Sequence, residues 1–158
     1  MANTQAMTTS FMGELMTATH NFGTAPTRGS SAADTFKAAL YLTSATINAA
    51  TTAYSSTGEV TGTNYTAGGV TVTNATAPTA TNSSATAGVA YWTPSASITY
   101  TNVTLTTAFD AVLIYNSTQS NKAVSVHTFG SQTITAGTFT LTMPFNTTTT
   151  ALLRLSTT

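Results

Sequence analysis

The chain has 158 residues and a net charge of zero, because it carries only four basic and four acidic side chains. Four scattered cations are too few to displace the counterions of a nucleic acid, no apolar run approaches the length of about 18 residues that spans a membrane, and the absence of cysteine excludes disulfides and thiolate metal sites. Hydrophobic residues still make up 41% of the sequence, and strand-favouring threonine fills about a quarter of it, so we expect a folded β-protein.

The beginning of the chain differs from the rest. Three hydroxyl residues at positions 8–10 offer the oxygens of a helix N-cap, and Phe11 and Leu15 follow at helical spacing. These signals predict one short amphipathic helix over about residues 10–17. The stretch 21–33 is rich in glycine, serine and proline, which is typical of a loop.

From residue 35 onward the apolar period changes to two. Residues 36–42 alternate between large apolar and other side chains, which predicts a strand with one buried face. The segment 43–54 is ambiguous between a short helix and a loop. Four glycines between positions 58 and 69 mark turns, residues 70–72 open another strand, and 74–88 has the composition of a long exposed loop.

The second half is densely β. The apolar parity of the strand that begins at Ile98 switches after Tyr100, so we expect a β-bulge near residues 101–102. Residues 108–115 form a near-continuous apolar run, which predicts the most buried strand. The polar stretch 116–121 is typical of a hairpin connection.

Further strands follow this connection. One is predicted over residues 122–129, and the alternation from Phe139 to Met143 predicts another, which Pro144 ends. Leu153 and Leu155 indicate a last short strand.

About eight short strands separated by turn signals predict an all-β fold. We expect a two-sheet antiparallel β-sandwich, jelly-roll-like, because eight strands in two sheets is usual for that fold. An immunoglobulin-like sandwich is the competing topology, although the Cys–Trp–Cys pattern is absent. The predicted parts are an N-terminal helix and flexible arm, residues 1–33, and a β-sandwich domain, residues 34–158.

The sequence offers little for catalysis or metal binding. Its two histidines, His20 and His127, fall short of the three or four ligands of a metal site, and we expect both at a surface or an interface. No Gly-x-Ser-x-Gly elbow surrounds a serine, and nothing selects two of the four acids as a catalytic pair. The segment GTNYTAGG, residues 62–69, lacks the lysine of a phosphate loop and predicts turns. We therefore expect no enzyme, no cofactor and no metal.

Isolated charges in a neutral chain are candidates for contacts that set register. Lys37 lies on the outward side of its predicted strand, while Asp110 adjoins the most apolar run and is expected to pair with Lys122 across a hairpin. We predict that these three residues contact partners.

The N-terminal helix has two open interpretations. Its Phe11, Leu15 and Met16 fill a groove on a neighbouring subunit if the arm reaches outward. In the alternative, the same helix packs onto the open end of its own sandwich.

A family resemblance is carried by four segments, namely FKAALYL, AYSSTGEVTGTNYTAGGVTVT, ASITYTNVTLTTAFDAVLIYN and AVSVHTFGSQTITAGTFTLTMP. They look like a recurring class of small structural proteins of tailed bacteriophages. The shared features are the glycine- and tyrosine-rich segment from Tyr54 to Gly69, the buried strand before Tyr115 and the Phe-Gly-Ser-Gln turn. The resemblance covers about residues 36–155 and implies a virion protein similar to jelly-roll capsid cement (decoration) proteins, which bridge capsomers on the outer shell. It brings no catalytic residues.

The resemblance implies partners and a location. The chain is expected to bind the major capsid protein and itself, as a dimer or trimer, on the capsid surface of a virion assembled in the host cytoplasm. Neither nucleic acid nor membrane is expected as a partner. The alternative is a tail or head–tail component, such as a fibre or adaptor module. A carbohydrate-binding β-sandwich ranks last, and it would need exposed aromatic residues among Tyr54, Tyr65, Tyr91 and Trp92.

Overall fold

The structure is a computed structural model that describes residues 2–16, 18–23, 33–73, 77–81 and 88–157. Its elements, in chain order, are β1 Ala6–Met7, α1 Thr9–Met16, β2 Phe36–Leu42, β3 Val70–Thr71, β4 Thr79–Ala80, β5 Val89–Trp92, β6 Ile98–Asn116, β7 Lys122–Leu141 and β8 Leu153–Ser156.

Two antiparallel sheets make up the fold. The larger sheet holds five strands in the order β1-β7-β6-β2-β3, and the smaller holds three in the order β4-β5-β8. This arrangement confirms the predicted all-β, two-sheet antiparallel sandwich with a short N-terminal helix. Within the described residues, no helix is long and apolar enough to cross a membrane.

The hairpin of β6 and β7 forms most of the larger sheet. Its strands are 19 and 20 residues long, because bulges absorb the changes of parity that suggested several short strands. The bulge predicted near residues 101–102 is confirmed: the register shifts between Tyr100 and Val103, and Asn102 has a φ of 53°. The predicted polar connection forms the hairpin turn at residues 117–121.

At β2, both faces of the five-stranded sheet are buried. On one face, Phe36 and Leu40 belong to a core that includes residues of the smaller sheet and of α1. On the opposite face, Ala39 and Tyr41 form a second cluster with residues of the segment 43–54. The prediction that β2 buries only one face is therefore wrong, because the chain after β2 folds back over the face that periodicity assigned to solvent.

The N-terminal segment packs on its own chain. Helix α1 begins at Thr9, one residue before the predicted start, and the side chain of Phe11 is 2% exposed. The Phe11 ring lies 5.8 Å from that of Phe22, which stacks on Phe36 at a centroid distance of 4.3 Å. Of the two interpretations of this helix, the structure has the one that packs it onto its own sandwich. Residues 24–32 of the predicted flexible arm lie outside the described residues.

Candidate functional site

All four carboxylates of the chain accept hydrogen bonds from other parts of the chain. They belong to Glu14, Asp34, Glu59 and Asp110, and each accepts a hydrogen bond of 2.6 or 2.7 Å. Asp34 and Glu59 are each only 6% exposed. The acids therefore serve as internal acceptors, a role that the sequence did not predict for three of them.

Glu14 joins the helix to the hairpin. Its Oε1 accepts a hydrogen bond of 2.6 Å from Lys122 Nζ, and its Oε2 lies 2.7 Å from His20 Nε2. Burial of Glu14 raises the pKa of its carboxyl, but the hydrogen bonds from Lys122 and His20 outweigh this effect and hold the pKa below its usual value. Lys122 thus binds its own N-terminal helix.

A second carboxylate extends this contact. Asp34 Oδ2 accepts hydrogen bonds from the Asn116 side-chain amide at 2.7 Å and from the Asn21 backbone at 2.8 Å. The same Asn116 nitrogen lies 3.0 Å from His20 Nδ1. Because an amide nitrogen only donates, Nδ1 of His20 is the acceptor and its proton lies on Nε2, facing Glu14. We call Glu14, His20, Asp34, Asn116 and Lys122 the N-terminal polar cluster.

The N-terminal polar cluster corrects one expectation. His20 is 9% exposed and packs edge-to-face on Phe11 at a ring distance of 5.0 Å, so the prediction of a surface position is wrong. Its two nitrogens each have a partner, which satisfies the rule that buried polar groups are hydrogen-bonded. The cluster fixes the helix to the turn end of the β6–β7 hairpin.

Glu59 is the centre of a second buried cluster. Its Oε2 accepts a hydrogen bond of 2.6 Å from Tyr54, and its Oε1 accepts bonds of 2.7 Å from the Tyr65 hydroxyl and from the Gly68 backbone N–H. We call these four residues the Glu59 cluster. They all lie in the segment from Tyr54 to Gly69 that carries the family resemblance.

Two further tyrosines fasten this segment to the sheet. The Tyr115 hydroxyl donates to Gly68 O at 2.8 Å, and its ring stacks on Tyr54 at 4.7 Å. Tyr100 stacks on Tyr65 at 5.9 Å and donates to a backbone carbonyl of β2. The glycine-rich segment is therefore a set of turns packed on the sheet, as the absence of the phosphate-loop lysine predicted.

These contacts predict an alkaline unfolding transition. Burial raises the pKa of Tyr41 and of Tyr115 to about 12, and burial followed by the hydrogen bond to Glu59 raises the pKa of Tyr54 and of Tyr65 further. A raised folded-state pKa contributes stability that is complete below the unfolded-state pKa of about 10 and is lost as the pH rises towards 12. The urea midpoint should fall over that interval, and Tyr54→Phe should reduce the fall. A constant midpoint would contradict the burial of these hydroxyls.

Ser125 and His127 form a pair of the kind that acid–base chemistry uses. His127 Nε2 lies 2.9 Å from Ser125 Oγ, and burial lowers the pKa of His127 to about 4. The serine is 1% exposed, however, and a nucleophile needs access to substrate. Asp110 bonds to Asn3 instead of to the imidazole. Among the described residues, no three His, Asp or Glu side chains gather into a possible metal site.

The four aromatic residues named for sugar binding are buried or half-buried. Trp92 is 2% exposed and packs edge-to-face on Phe22 at 4.8 Å, within the core. Tyr54 and Tyr65 point their hydroxyls at Glu59. Tyr91 is half-buried, like Tyr54 and Tyr65, so none of the four aromatic residues named for the carbohydrate-binding alternative is fully exposed.

The apolar residues predicted to contact partners lie on one helix. Phe11 is in the core, and Leu15 is partly buried beside an apolar cleft of about 90 Å³. The side chain of Met16 lies outside the described part of the chain. Phe11 is therefore buried by its own chain, whereas Leu15 keeps part of its side chain exposed.

The charged residues predicted to contact partners have internal neighbours. Lys37 is half-buried, with its amine beside Gly68 in the Glu59 cluster. The predicted pair of Asp110 with Lys122 is wrong. Lys122 faces Asn116 across the hairpin, six positions along β6 from Asp110, which is roughly 20 Å at 3.3 Å per residue.

The outer edge of β7 is a candidate contact surface. Strand β6 pairs with β7 along its length, whereas β1 pairs with the other side of β7 only at Ser125 and Val126. In the part of the chain that the structure describes, no strand pairs with the outer side of residues 128–141. We call this stretch the β7 edge.

A groove lies beside the β7 edge. It has a volume of about 360 Å³ and is lined by half-buried apolar residues that include Phe129, Phe139 and Leu141. Exposed backbone groups and an apolar groove occur together where proteins accept an added strand. Nothing in the sequence pattern distinguishes this edge strand from an internal one.

Comparison with family models, with curated proteins and with solved structures finds no match to this chain.

Proposed function

We propose that the chain is a bacteriophage capsid cement protein that binds the outer shell and stabilises contacts between major capsid protein subunits. The resemblance of residues 36–155 to small phage structural proteins supports this role. The observation that carries the proposal is the use of all four carboxylates inside the chain, which leaves few charges to act on its outer surface.

The proposed mechanism depends on area and backbone pairing. Each Å² of apolar surface removed from water contributes about 25 cal/mol, so modest contacts repeated over an icosahedral shell add up to a large stabilisation. A rigid sandwich also loses little conformational entropy when it binds. The protein acts as a dimer or trimer and does no chemistry.

Attachment should survive high salt. Screening at high ionic strength weakens contacts between exposed charges but leaves apolar and backbone contacts in place. Particles purified from the source of the gene are washed at low and at high salt, and the copies of this chain per major capsid subunit are counted by quantitative mass spectrometry. We expect the same ratio after both washes.

Two results would contradict the proposal. Loss of the chain at moderate salt would refute the neutral mechanism. A copy number of a few to a few dozen per particle, where a cement protein has hundreds, would place the chain in the tail or at the head–tail connector. A map of the intact particle locates the chain directly and serves as the control for the copy number.

A further inference from the structure

The β7 edge lacks the usual protection of an unpaired strand. Natural proteins place charged side chains or proline on such edges, or cover them, to prevent pairing with other chains. Residues 128–141 contain no charged residue and no proline. Five threonines make the edge strand-favouring at positions 128, 133, 135, 138 and 140.

Bulges restrict where another strand can pair. The register with β6 shows extra residues in β7 between Thr128 and Gln132 and between Ile134 and Gly137. From Phe139 to Leu141 the pairing with β6 is regular again. The register shift between Tyr100 and Val103 places its extra residue in β6, so β7 has no bulge of its own from residue 137 to residue 141. Its outward backbone groups are evenly spaced there, next to the groove lined by Phe139 and Leu141.

The chain itself demonstrates that this side of β7 accepts an antiparallel strand. Ala6 and Met7 of β1 pair with Val126 and Ser125, and the Thr8 backbone N–H continues the ladder to Val124 O at 3.0 Å. Beyond this short strand, the same side of β7 is free in the described part of the chain.

We propose that residues 137–141 of two copies of this chain pair antiparallel around a twofold axis and join their five-stranded sheets into one. A twofold axis places each side chain near its own symmetry mate, so a charged edge would repel itself. This edge is uncharged, and its exposed Thr138 and Thr140 meet the threonines of the other copy, a favourable cross-strand pair. The β6–β7 hairpin of the other copy covers the groove beside Phe139 and Leu141.

This inference deepens the proposed function, since it names the surface that makes the homo-oligomer, but its test uses the purified chain alone. We expect light scattering to give a dimer for the wild type and half that mass for T138K/T140K, because four like charges then meet at the axis. T138E/T140E should also be monomeric. Mixing the two variants should restore the dimer, since opposite charges now face each other.

The matched control places the same charges on β6, one strand further from the proposed twofold axis. Thr99 and Thr101 are exposed on β6, and Thr99 pairs directly with Thr140, so T99K/T101K should stay dimeric. A monomeric or trimeric wild type, or a dimer that persists in T138K/T140K, would overturn the inference. A monomeric wild-type chain that still decorates capsids would refute the dimer and leave the capsid-binding role standing. A dimeric chain that is absent from capsids would refute the proposed function and leave the dimer standing.

Discussion

Replacing Gly69 with alanine is expected to prevent folding. Gly69 has a φ of +70°, and an added Cβ would lie 1.7 Å from Ala38 O and 2.5 Å from the carbonyl carbon of the same residue. Ala38 lies in β2, which is paired on both sides, so the backbone cannot move away. We expect a loss of more than about 4 kcal/mol, which is the range of changes that abolish folding in marginally stable domains.

Gly13→Ala is the matched control for this substitution. Gly13 lies in α1, and an added Cβ there has no neighbouring atom within 4 Å. Because alanine favours a helix over glycine by about 1 kcal/mol, this variant should be slightly more stable than the wild type. Soluble yield and urea unfolding compare both variants with the wild type. Equal urea midpoints for the Gly69 and Gly13 variants would show that the segment does not lie against β2 as described.

The glycines of the segment from Tyr54 to Gly69 are explained by close approach. At Gly62 an added Cβ would lie 2.0 Å from Thr104 O, and at Gly58 it would lie 2.7 Å from Ala45 Cβ. The glycines of this segment therefore allow a loop to pack closely on the sheet.

Local signals were sufficient for part of this fold. The helix, the bulge near Asn102 and the turn at residues 117–121 follow from spacing, parity and turn-forming residues over a few positions. These features depend on neighbouring residues in the chain, so the sequence pattern predicts them. The order of the strands depends on which distant segments meet, and periodicity contains no such information.

The candidate sites depended on contacts between distant residues. Lys122 meets Glu14 across 108 positions and Asn116 meets His20 across 96. Each residue, seen alone, fits an exposed position, since charged and imidazole side chains are seldom buried without partners. The rarity of charge was the one available signal. In a chain with only four acids, each acid is a candidate for a specific hydrogen-bonded contact. The second buried face of β2 was not predicted for another reason: residues 43–54 cover it, and their sequence pattern is ambiguous between a helix and a loop.

Replacing Glu59 with alanine is expected to cost about 3–5 kcal/mol of unfolding free energy, the second largest effect. The substitution removes the acceptor of Tyr54, Tyr65 and Gly68, and buried donors without partners carry their full desolvation penalty. Urea unfolding monitored by tyrosine fluorescence measures the loss. We also expect the tyrosine fluorescence anisotropy to decay faster, because the segment on the sheet becomes mobile.

Three control variants separate the hydrogen bonds from the general effect of removing a carboxylate. Glu59→Gln keeps the shape and one carbonyl oxygen, so it should cost less than alanine, about 1–3 kcal/mol. Tyr54→Phe removes a single donor and should cost about 1 kcal/mol. Asp110→Ala removes a half-buried carboxylate whose partner is Asn3, and should also cost about 1 kcal/mol. If Glu59→Ala cost no more than Asp110→Ala, then Glu59 would not hold the segment on the sheet. The presence of this acid in a chain with so few charges would then need another explanation.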